Sequence, residues 1–365
     1  MGRIRKFFCN NTHGKVNIKA IISVLVLGGV LVGGYLFLNQ TQTGPIKGEF
    51  QKGMGYVTWS KGAYSTEGSD ASITEVAELG AEWTSVLVTW YQTTCWSGDI
   101  KKTDKTPSDE SLIHVIQKAH ELGMKVMLKL HLDIIDKSDG SWRGEIGCTR
   151  EEDWNVWFKA YTEYMLYYAK IANQENVEMI CIGTELSTAA TVKGYKWNDI
   201  IIAIRAAYDG SLTYAAHWDR YMDIRFWDQL DYVGINAYFP LTEKVQPTYE
   251  ELVQGWDKWV EEMESFQKEV NKPIIFPEIG CNSADGAAIR PWEHVPRSEV
   301  NLELQENYYK VLMEIFWDKP WFYGQYWWYW GTNVHMGGQY NRNFTPQNKP
   351  SEDVVKKWYA KSIRR

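Results

Sequence analysis

Short apolar runs alternate with longer amphipathic segments from about residue 50 to the end of the chain. The short runs are rich in β-branched and aromatic residues, which is typical of buried strands, whereas the longer segments repeat apolar positions at helical spacing. Eight runs are predicted to be strands: residues 53–59, 84–92, 124–133, 177–186, 212–218, 230–239, 272–280 and 321–330. Helices are predicted at about 69–80, 108–123, 151–173, 196–208, 248–270 and 299–317, with a short helical piece near 220–229.

Strands that alternate with helices predict βαβ units and a parallel sheet. Eight such units in a chain of this length favour a (β/α)8 barrel, the TIM barrel, over an open doubly wound sheet. A doubly wound sheet usually carries a glycine-rich phosphate turn after its first strand. The turn found here, VTWSKGAYSTEG at 57–68, contains neither GxGxxG nor GxxxxGK. We therefore predict a single α/β barrel domain over residues 51–365.

A separate apolar run lies near the amino terminus, at residues 18–38, interrupted only by Lys19 and Ser23. At ~1.5 Å per helical residue it is long enough to cross a hydrocarbon core of ~30 Å. The segment before it, residues 1–17, is basic. Positive flanks stay in the cytoplasm, so the sequence predicts a single-pass anchor with the barrel outside the cell.

A cleaved signal peptide is the alternative interpretation of this run, and it would make the protein secreted. The apolar run is long for a signal peptide, and no small-x-small cleavage site follows it. The anchor is therefore favoured, with residues 39–50 as a polar linker to the barrel.

The net charge is −7, so no basic footprint suggests a nucleic-acid partner. The chain has 19 Trp, 22 Tyr and 12 Phe, which suits stacking on the apolar faces of sugar rings. It has no CxxC or Cys/His spacing typical of zinc sites, so neither a metal nor a cofactor is expected. Cys95 and Cys148 fall in predicted loops and could pair outside the cell, whereas Cys181 is predicted to be a buried thiol.

Polar and aromatic side chains gather where the predicted strands end. Chemistry in a barrel of this type takes place at the carboxyl ends of the strands. Two carboxylates stand there: Glu185 closes the fourth strand and Glu278 closes the seventh. The other candidates are Trp59, Trp90, His131, Thr184, His217, Asn236, Tyr238, Trp328 and Trp330. A single glutamate at a strand end is commonly a solvated charge, but two across one barrel mouth, among aromatic residues, suit glycoside hydrolysis.

Five short motifs make the pattern more specific: GTEL (183–186), PEIG (277–280), DGSWRGEI (139–146), GINAYFP (234–240) and WWYWG (327–331). In order and spacing they resemble the retaining glycosidases with (β/α)8 barrels, and more narrowly glycoside hydrolase family 113, whose characterised members are largely β-mannanases. The resemblance covers about residues 50–360. It implies Glu185 as the acid/base, Glu278 as the nucleophile and Tyr238 as a hydrogen-bond donor to the nucleophile.

The resemblance further implies that Trp330 or a close neighbour forms the floor of the subsite at the cleavage point. Trp142 and Arg143 would line the glycone side. One position departs from the wider group, which has Asn before the acid/base, where it contacts the sugar 2-hydroxyl. This chain has Thr184 there, so that contact would have to come from another residue.

The expected function is that of an outward-facing, membrane-anchored endo-β-1,4-mannanase acting on a β-linked polysaccharide or oligosaccharide. A second interpretation keeps the fold and both carboxylates but changes the substrate to glucan, xylan or an envelope glycan. A third is a carbohydrate-binding barrel that has lost activity. The presence of both Glu185 and Glu278 speaks against the third interpretation.

Overall fold

The structure is a computed structural model that describes residues 48–293 and 298–363. The predicted basic segment and membrane anchor, and most of the linker, lie outside the described residues. Within the described ranges, no helix combines the length and the apolar character that crossing a membrane requires.

Eight parallel strands close into a barrel in chain order, which confirms the predicted (β/α)8 architecture. Each strand pairs with its two sequence neighbours, and β1 pairs with β8 to close the sheet. Their bounds are β1 Gln51–Val57, β2 Trp83–Gln92, β3 Lys125–Ile134, β4 Met179–Thr184, β5 Ser211–His217, β6 Val233–Asn236, β7 Ile274–Ile279 and β8 Phe322–Gly331.

The α-helices surround this barrel. In the described region they are α1 Glu67–Glu78, α2 Asp109–Glu121, α3 Glu151–Gln174, α4 Ser187–Val192, α5 Trp197–Arg205, α6 Tyr249–Val270, α7 Leu302–Phe316 and α8 Pro350–Tyr359. The six longer predicted helices are present. The helical piece predicted near 220–229 forms two 3₁₀ turns, Tyr221–Asp223 and Trp227–Gln229. The short α4 and the carboxy-terminal α8 were not predicted.

Helix starts follow the capping residues in the sequence. Thr66 caps α1 by accepting a hydrogen bond from the Ser69 amide, and Ser108 caps α2 in the same way. At the start of α6, Thr248 and Glu251 form a capping box, so each side chain satisfies a backbone amide of the other residue. These caps satisfy amides that the helix cannot pair internally, and they fix where each helix leaves its loop.

Much of the aromatic content packs between the barrel and the helices. Trp157, Trp197 and Trp256 are fully buried there. Tyrosine hydroxyls in the same layer donate to strand carbonyls: Tyr161 to Ile182 at 2.8 Å, for example. The high aromatic content is therefore explained largely by packing, and it is weaker evidence for sugar binding than the sequence suggests.

The inside of the barrel forms a second, smaller core that includes Met127, Met179 and Tyr326. Alternate residues of a strand point to opposite faces, so β3 sends Leu128 and Leu130 outward to the helices. Its inward positions run from Met127 through Lys129, His131 and Asp133. The barrel interior thus becomes polar towards the carboxyl ends of the strands, and this polar layer carries the site.

The four cysteines within the described ranges are free thiols. Cys181 is buried in β4, which confirms the prediction for that residue. Cys95 and Cys148 are not bonded to each other in this structure.

Candidate active site

Glu278 reaches the barrel interior because β7 carries an irregularity. The pairing register between β7 and β8 shifts between Phe276 and Ile279, and both of these residues pack in the helix-facing core. Strict alternation would place Glu278 on the outer face as well. An extra residue in a strand re-aims the side chains around it, so the carboxylate turns inward, where it is 4% exposed.

Three side chains contact the Glu278 carboxylate. The ammonium of Lys129 lies 2.7 Å from Oε1, and Nε2 of His131 lies 3.4 Å from the same oxygen. The Tyr238 hydroxyl donates a hydrogen bond to Oε2 at 3.0 Å. Lys129 and His131 lie on β3 and hold Oε1, while Tyr238, two residues after the end of β6, holds Oε2.

The charges around Glu278 decide its protonation. Burial disfavours the ionised carboxylate, but the Lys129 ammonium and the His131 contact outweigh it and hold the pKa of Glu278 well below its usual range. Burial lowers the pKa of His131 to about 4, so this imidazole is neutral at pH 7. Burial also raises the pKa of Tyr238 well above its ordinary value, so its hydroxyl keeps its proton.

Glu185 directly follows β4 and has a left-handed backbone, with φ of 54°. Its amide donates to the Ala215 carbonyl of β5 at 2.8 Å, which holds this conformation in place. Residues other than glycine adopt such backbone angles at a cost, and strained residues of this kind cluster at functional sites. The side chain is 11% exposed, and Oε2 lies 3.5 Å from a guanidinium nitrogen of Arg143.

Arg143 is held over the barrel mouth by its own loop. It begins a 3₁₀ turn, Arg143–Glu145, and the Thr188 hydroxyl of α4 donates to the Gly144 carbonyl at 2.9 Å. Although burial disfavours its charge, Asp133 and Glu185 together raise the pKa of Arg143, so it stays cationic. Asp133 lies 3.8 Å from Arg143 and 2.8 Å from Lys137, which adds an ionic group to the site.

Glu185 and Glu278 line one cleft of about 240 Å³ at the carboxyl ends of the strands. The other lining residues are Asp133, Lys137, Trp142, Arg143, His217, Tyr238, Trp292, Trp328 and Phe344. A larger depression of about 520 Å³ lies at the opposite end of the barrel, near Glu178 and Arg205. That depression is lined by residues at the amino ends of β4, β5 and β6, away from both carboxylates. The smaller cleft is therefore the candidate active site.

Comparison with known proteins identifies the family. The sequence profile of Glycoside Hydrolase Family 113 matches residues 54–360. The chain belongs to glycoside hydrolase family 113. It is therefore a glycoside hydrolase, and the cleft with its two carboxylates lies within the matched region.

Solved structures agree with this assignment. The GH113 β-mannanase AaManA from Alicyclobacillus acidocaldarius, in complex with ManMIm, is 28% identical with a TM-score of 0.77, over 86% of this chain and 98% of that one. A GH113 β-1,4-mannanase is 29% identical with the same TM-score, over 86% of this chain and 99% of that one. A family 5 mannosidase from Rhizomucor miehei, at 11% identity and a TM-score of 0.59, covers 86% of this chain and 93% of its own and shares the fold. No match was found among curated proteins.

Several predicted site residues of this glycoside hydrolase come together in the cleft. Trp142, Arg143, His217, Tyr238 and Trp328 line it with the two carboxylates. His131 lies behind them and stacks on Trp328, with ring centroids 6.0 Å apart. Trp59 is half-exposed at the rim, and its ring lies edge-on to Trp328, with ring centroids 6.5 Å apart.

Other predicted residues lie away from the cleft surface. Trp90 stacks on Tyr164 at 4.7 Å and donates to the Tyr168 hydroxyl, so it belongs to the packing around α3. Trp330 is buried and its indole donates to Ser72 at 3.0 Å. The aromatic residue of β8 that lines the cleft is therefore Trp328, two positions earlier.

Thr184 and Asn236 are fully buried at the ends of β4 and β6. The side-chain amide of Asn236 has no hydrogen-bond partner among the residues that the structure describes. Asn236 is paired in register with Glu278, so it lies beside the nucleophile candidate.

Sequence reasoning missed Lys129, Lys137, Trp292 and Phe344. Lys129 could have been found, because a lysine at an inward position of an otherwise apolar strand, two residues before His131, needs a buried partner. Trp292 and Phe344 lie in loops without a periodic pattern, so the sequence carries no signal for them. No group of three or more His, Cys, Asp or Glu side chains in 48–293 or 298–363 is placed to hold a metal ion.

Proposed function

We propose that this glycoside hydrolase is a retaining endo-β-1,4-mannanase. The observation that carries the proposal is the pair of strand-end carboxylates, Glu185 and Glu278, which share one cleft. Membership of family 113 and the likeness to two solved β-mannanases support mannan as the substrate.

In the proposed first step, a carboxylate oxygen of Glu278 attacks the anomeric carbon as the bond to the leaving oxygen breaks. Glu185 gives its proton to that oxygen, so the leaving group departs as a neutral alcohol. In the second step Glu185 takes a proton from water, whose oxygen attacks the same carbon and releases Glu278 as a carboxylate. Two inversions retain the configuration of the sugar.

The surroundings of Glu278 support its proposed role as nucleophile. An attacking carboxylate must be ionised, and the Lys129 contact lowers its pKa. Tyr238 and His131 hold the group in one orientation without adding a formal charge at pH 7. A positioned nucleophile avoids much of the entropic cost of bringing two reactants together.

The walls of the cleft support a sugar as the ligand. Trp142, Trp292 and Trp328 offer aromatic faces, while Asp133 and Arg143 offer hydrogen-bonding groups. Ligand sites commonly combine aromatic walls with a few placed polar groups of this kind. Thr184 occupies the position at which the wider group of retaining glycosidases has an asparagine that contacts the sugar 2-hydroxyl. We therefore propose that other residues contact the 2-hydroxyl of mannose.

Hydrolysis of a panel of β-linked polysaccharides, with sizing of the products, tests the substrate. We expect β-mannan to be cleaved to a range of oligosaccharides, with glucan and xylan cleaved at least tenfold more slowly. Faster release from glucan, xylan or an envelope glycan would contradict mannan while leaving the mechanism intact. Absence of hydrolysis throughout the panel would contradict the enzyme itself.

Substitution of Glu185 by Gln tests the proposed acid. General acid catalysis contributes about 10²–10⁴-fold, so kcat/KM on mannan should fall by that factor. An aryl mannobioside with a 2,4-dinitrophenyl leaving group needs no proton donor, so its first step should change by less than about tenfold. Glu152→Gln, on the exposed surface of α3, serves as the matched control. Equal losses on both substrates would show that Glu185 is not the acid.

We further propose that residues 18–38 anchor the protein in the cell membrane, with residues 39–50 as linker and the barrel, from residue 51, outside the cell. The apolar length of the run and the basic residues before it support this. The full chain should stay in the membrane fraction after carbonate washing. In a separate experiment, protease added to intact cells should digest the barrel. Recovery of a shortened soluble chain would indicate cleavage and secretion instead.

A further inference from the structure

Lys129 lies at the centre of the polar layer inside the barrel. It occupies an inward position of β3 and is fully buried, with 0% exposure. Its ammonium lies 2.7 Å from Oε1 of Glu278 and donates a hydrogen bond to the Pro277 carbonyl at 2.9 Å. Lys129 therefore contacts both the Glu278 side chain and the backbone of the irregularity in β7 that turns this side chain inward.

A buried ammonium is costly unless an opposite charge and hydrogen bonds compensate for the lost water. Glu278 supplies the charge and Pro277 supplies a carbonyl. The ammonium also lies 5.6 Å from the ring centroid of Trp328, within range of a cation–π contact with a wall of the cleft. The same lysine thus contacts the carboxylate, its backbone support and one substrate-facing ring.

The groups that surround this pair come from every neighbouring element. His131 of β3 contacts Glu278 but is neutral at pH 7, and burial raises the pKa of Cys181 on β4, so it is a neutral thiol. Arg143 is positive, but its nearest carboxylates are Glu185 and Asp133. Tyr238 adds a neutral hydroxyl. Among the described residues, Lys129 is thus the cation in direct contact with Glu278.

We propose that Lys129 is a positioning residue for the reaction, which keeps Glu278 ionised and fixed at one oxygen beneath the cleft. The proposal rests on the proposed role of Glu278 as nucleophile. Lys129 acts in both steps through Glu278. Before attack it keeps Glu278 in the carboxylate form. When the glycosyl–enzyme bond breaks, the electron pair returns to the Glu278 carboxylate, whose Oε1 faces the ammonium.

The pH dependence of unfolding tests this without any substrate. In the wild type the depressed pKa of Glu278 gives a stability contribution that is complete above the unfolded value of about 4.3 and is lost at lower pH. It should therefore be constant between pH 7 and 5. In Lys129→Met, burial acts on Glu278 without the ammonium and raises its pKa. A raised pKa adds stability as the pH falls, so the urea midpoint of this variant, measured relative to that of the wild type, should rise from pH 7 to 5. The comparison with the wild type is needed because buried His131, with a pKa of about 4, lowers the stability of both proteins over this range.

Three further full-length variants serve as controls for this measurement. Lys129→Met/Glu278→Gln lacks the titrating group, so the rise should disappear. Lys129→Arg keeps the charge and should behave as the wild type. Lys52→Met removes another buried lysine, paired with Glu82 at the far end of the barrel at 2.9 Å, and should not change the pH dependence relative to the wild type.

The pH profile of kcat/KM on 2,4-dinitrophenyl mannobioside supplies the second readout. An opposite charge nearby shifts a carboxyl pKa by about 1–3 units, so the acidic limb of Lys129→Met should move up by that amount. Lys129→Arg should keep the acidic limb of the wild type even if kcat falls. Lys52→Met should keep both the acidic limb and the kcat of the wild type.

Unchanged pH profiles of unfolding and turnover in Lys129→Met would overturn the proposal, as would an equal shift of the limb in Lys129→Arg. If Lys129→Met does not fold, Lys129→Gln takes its place with the same expectations. A wild type that fails to hydrolyse the mannobioside would count against the proposed function alone, because the unfolding measurement needs no turnover.

Discussion

The buried ion pair between Lys129 and Glu278 is the constraint around which the polar layer at the carboxyl ends of the strands is built. Two charges can be held away from water only where geometry and hydrogen bonds compensate for the lost solvation. The structure supplies this through the Pro277 carbonyl, the Tyr238 hydroxyl and the His131 ring. This ion pair also depends on the irregularity in β7, because without it Glu278 would face the helices and Lys129 would lose its counter-charge.

The aromatic layer between the barrel and the helices holds the strands that carry these side chains in place. Tyrosine hydroxyls of α3 bond to strand carbonyls, such as Tyr164 to His131 at 3.0 Å, so the helices fix the strands from outside. The strained backbone of Glu185 depends on the same rigidity, since a left-handed residue persists where its surroundings determine it. The two carboxylates are therefore placed by packing that extends far beyond the cleft.

The sequence predicts the barrel well because its periodicity is strong: eight apolar strands alternate with six longer amphipathic helices. Glu185 and Glu278 were also predictable, since each interrupts an apolar run at its carboxyl end. The wall residues were harder. In WWYWG four aromatic residues are consecutive, and which of them faces the cleft depends on the local register. The sequence therefore predicts Trp330 or a close neighbour, and in the structure Trp328 lines the cleft. Phe344 reaches the cleft from a loop whose sequence has no pattern.

Covalent trapping tests the central claim, that Glu278 is a nucleophile held ready for attack. A 2,4-dinitrophenyl 2-deoxy-2-fluoro-β-mannobioside keeps a good leaving group while its fluorine slows both steps, so the glycosyl–enzyme should accumulate. Peptide mass mapping of the full-length protein is expected to show one adduct per chain, on Glu278. Release of dinitrophenol with the adduct on another carboxylate, or with no adduct under conditions where the intermediate should persist, would contradict the account.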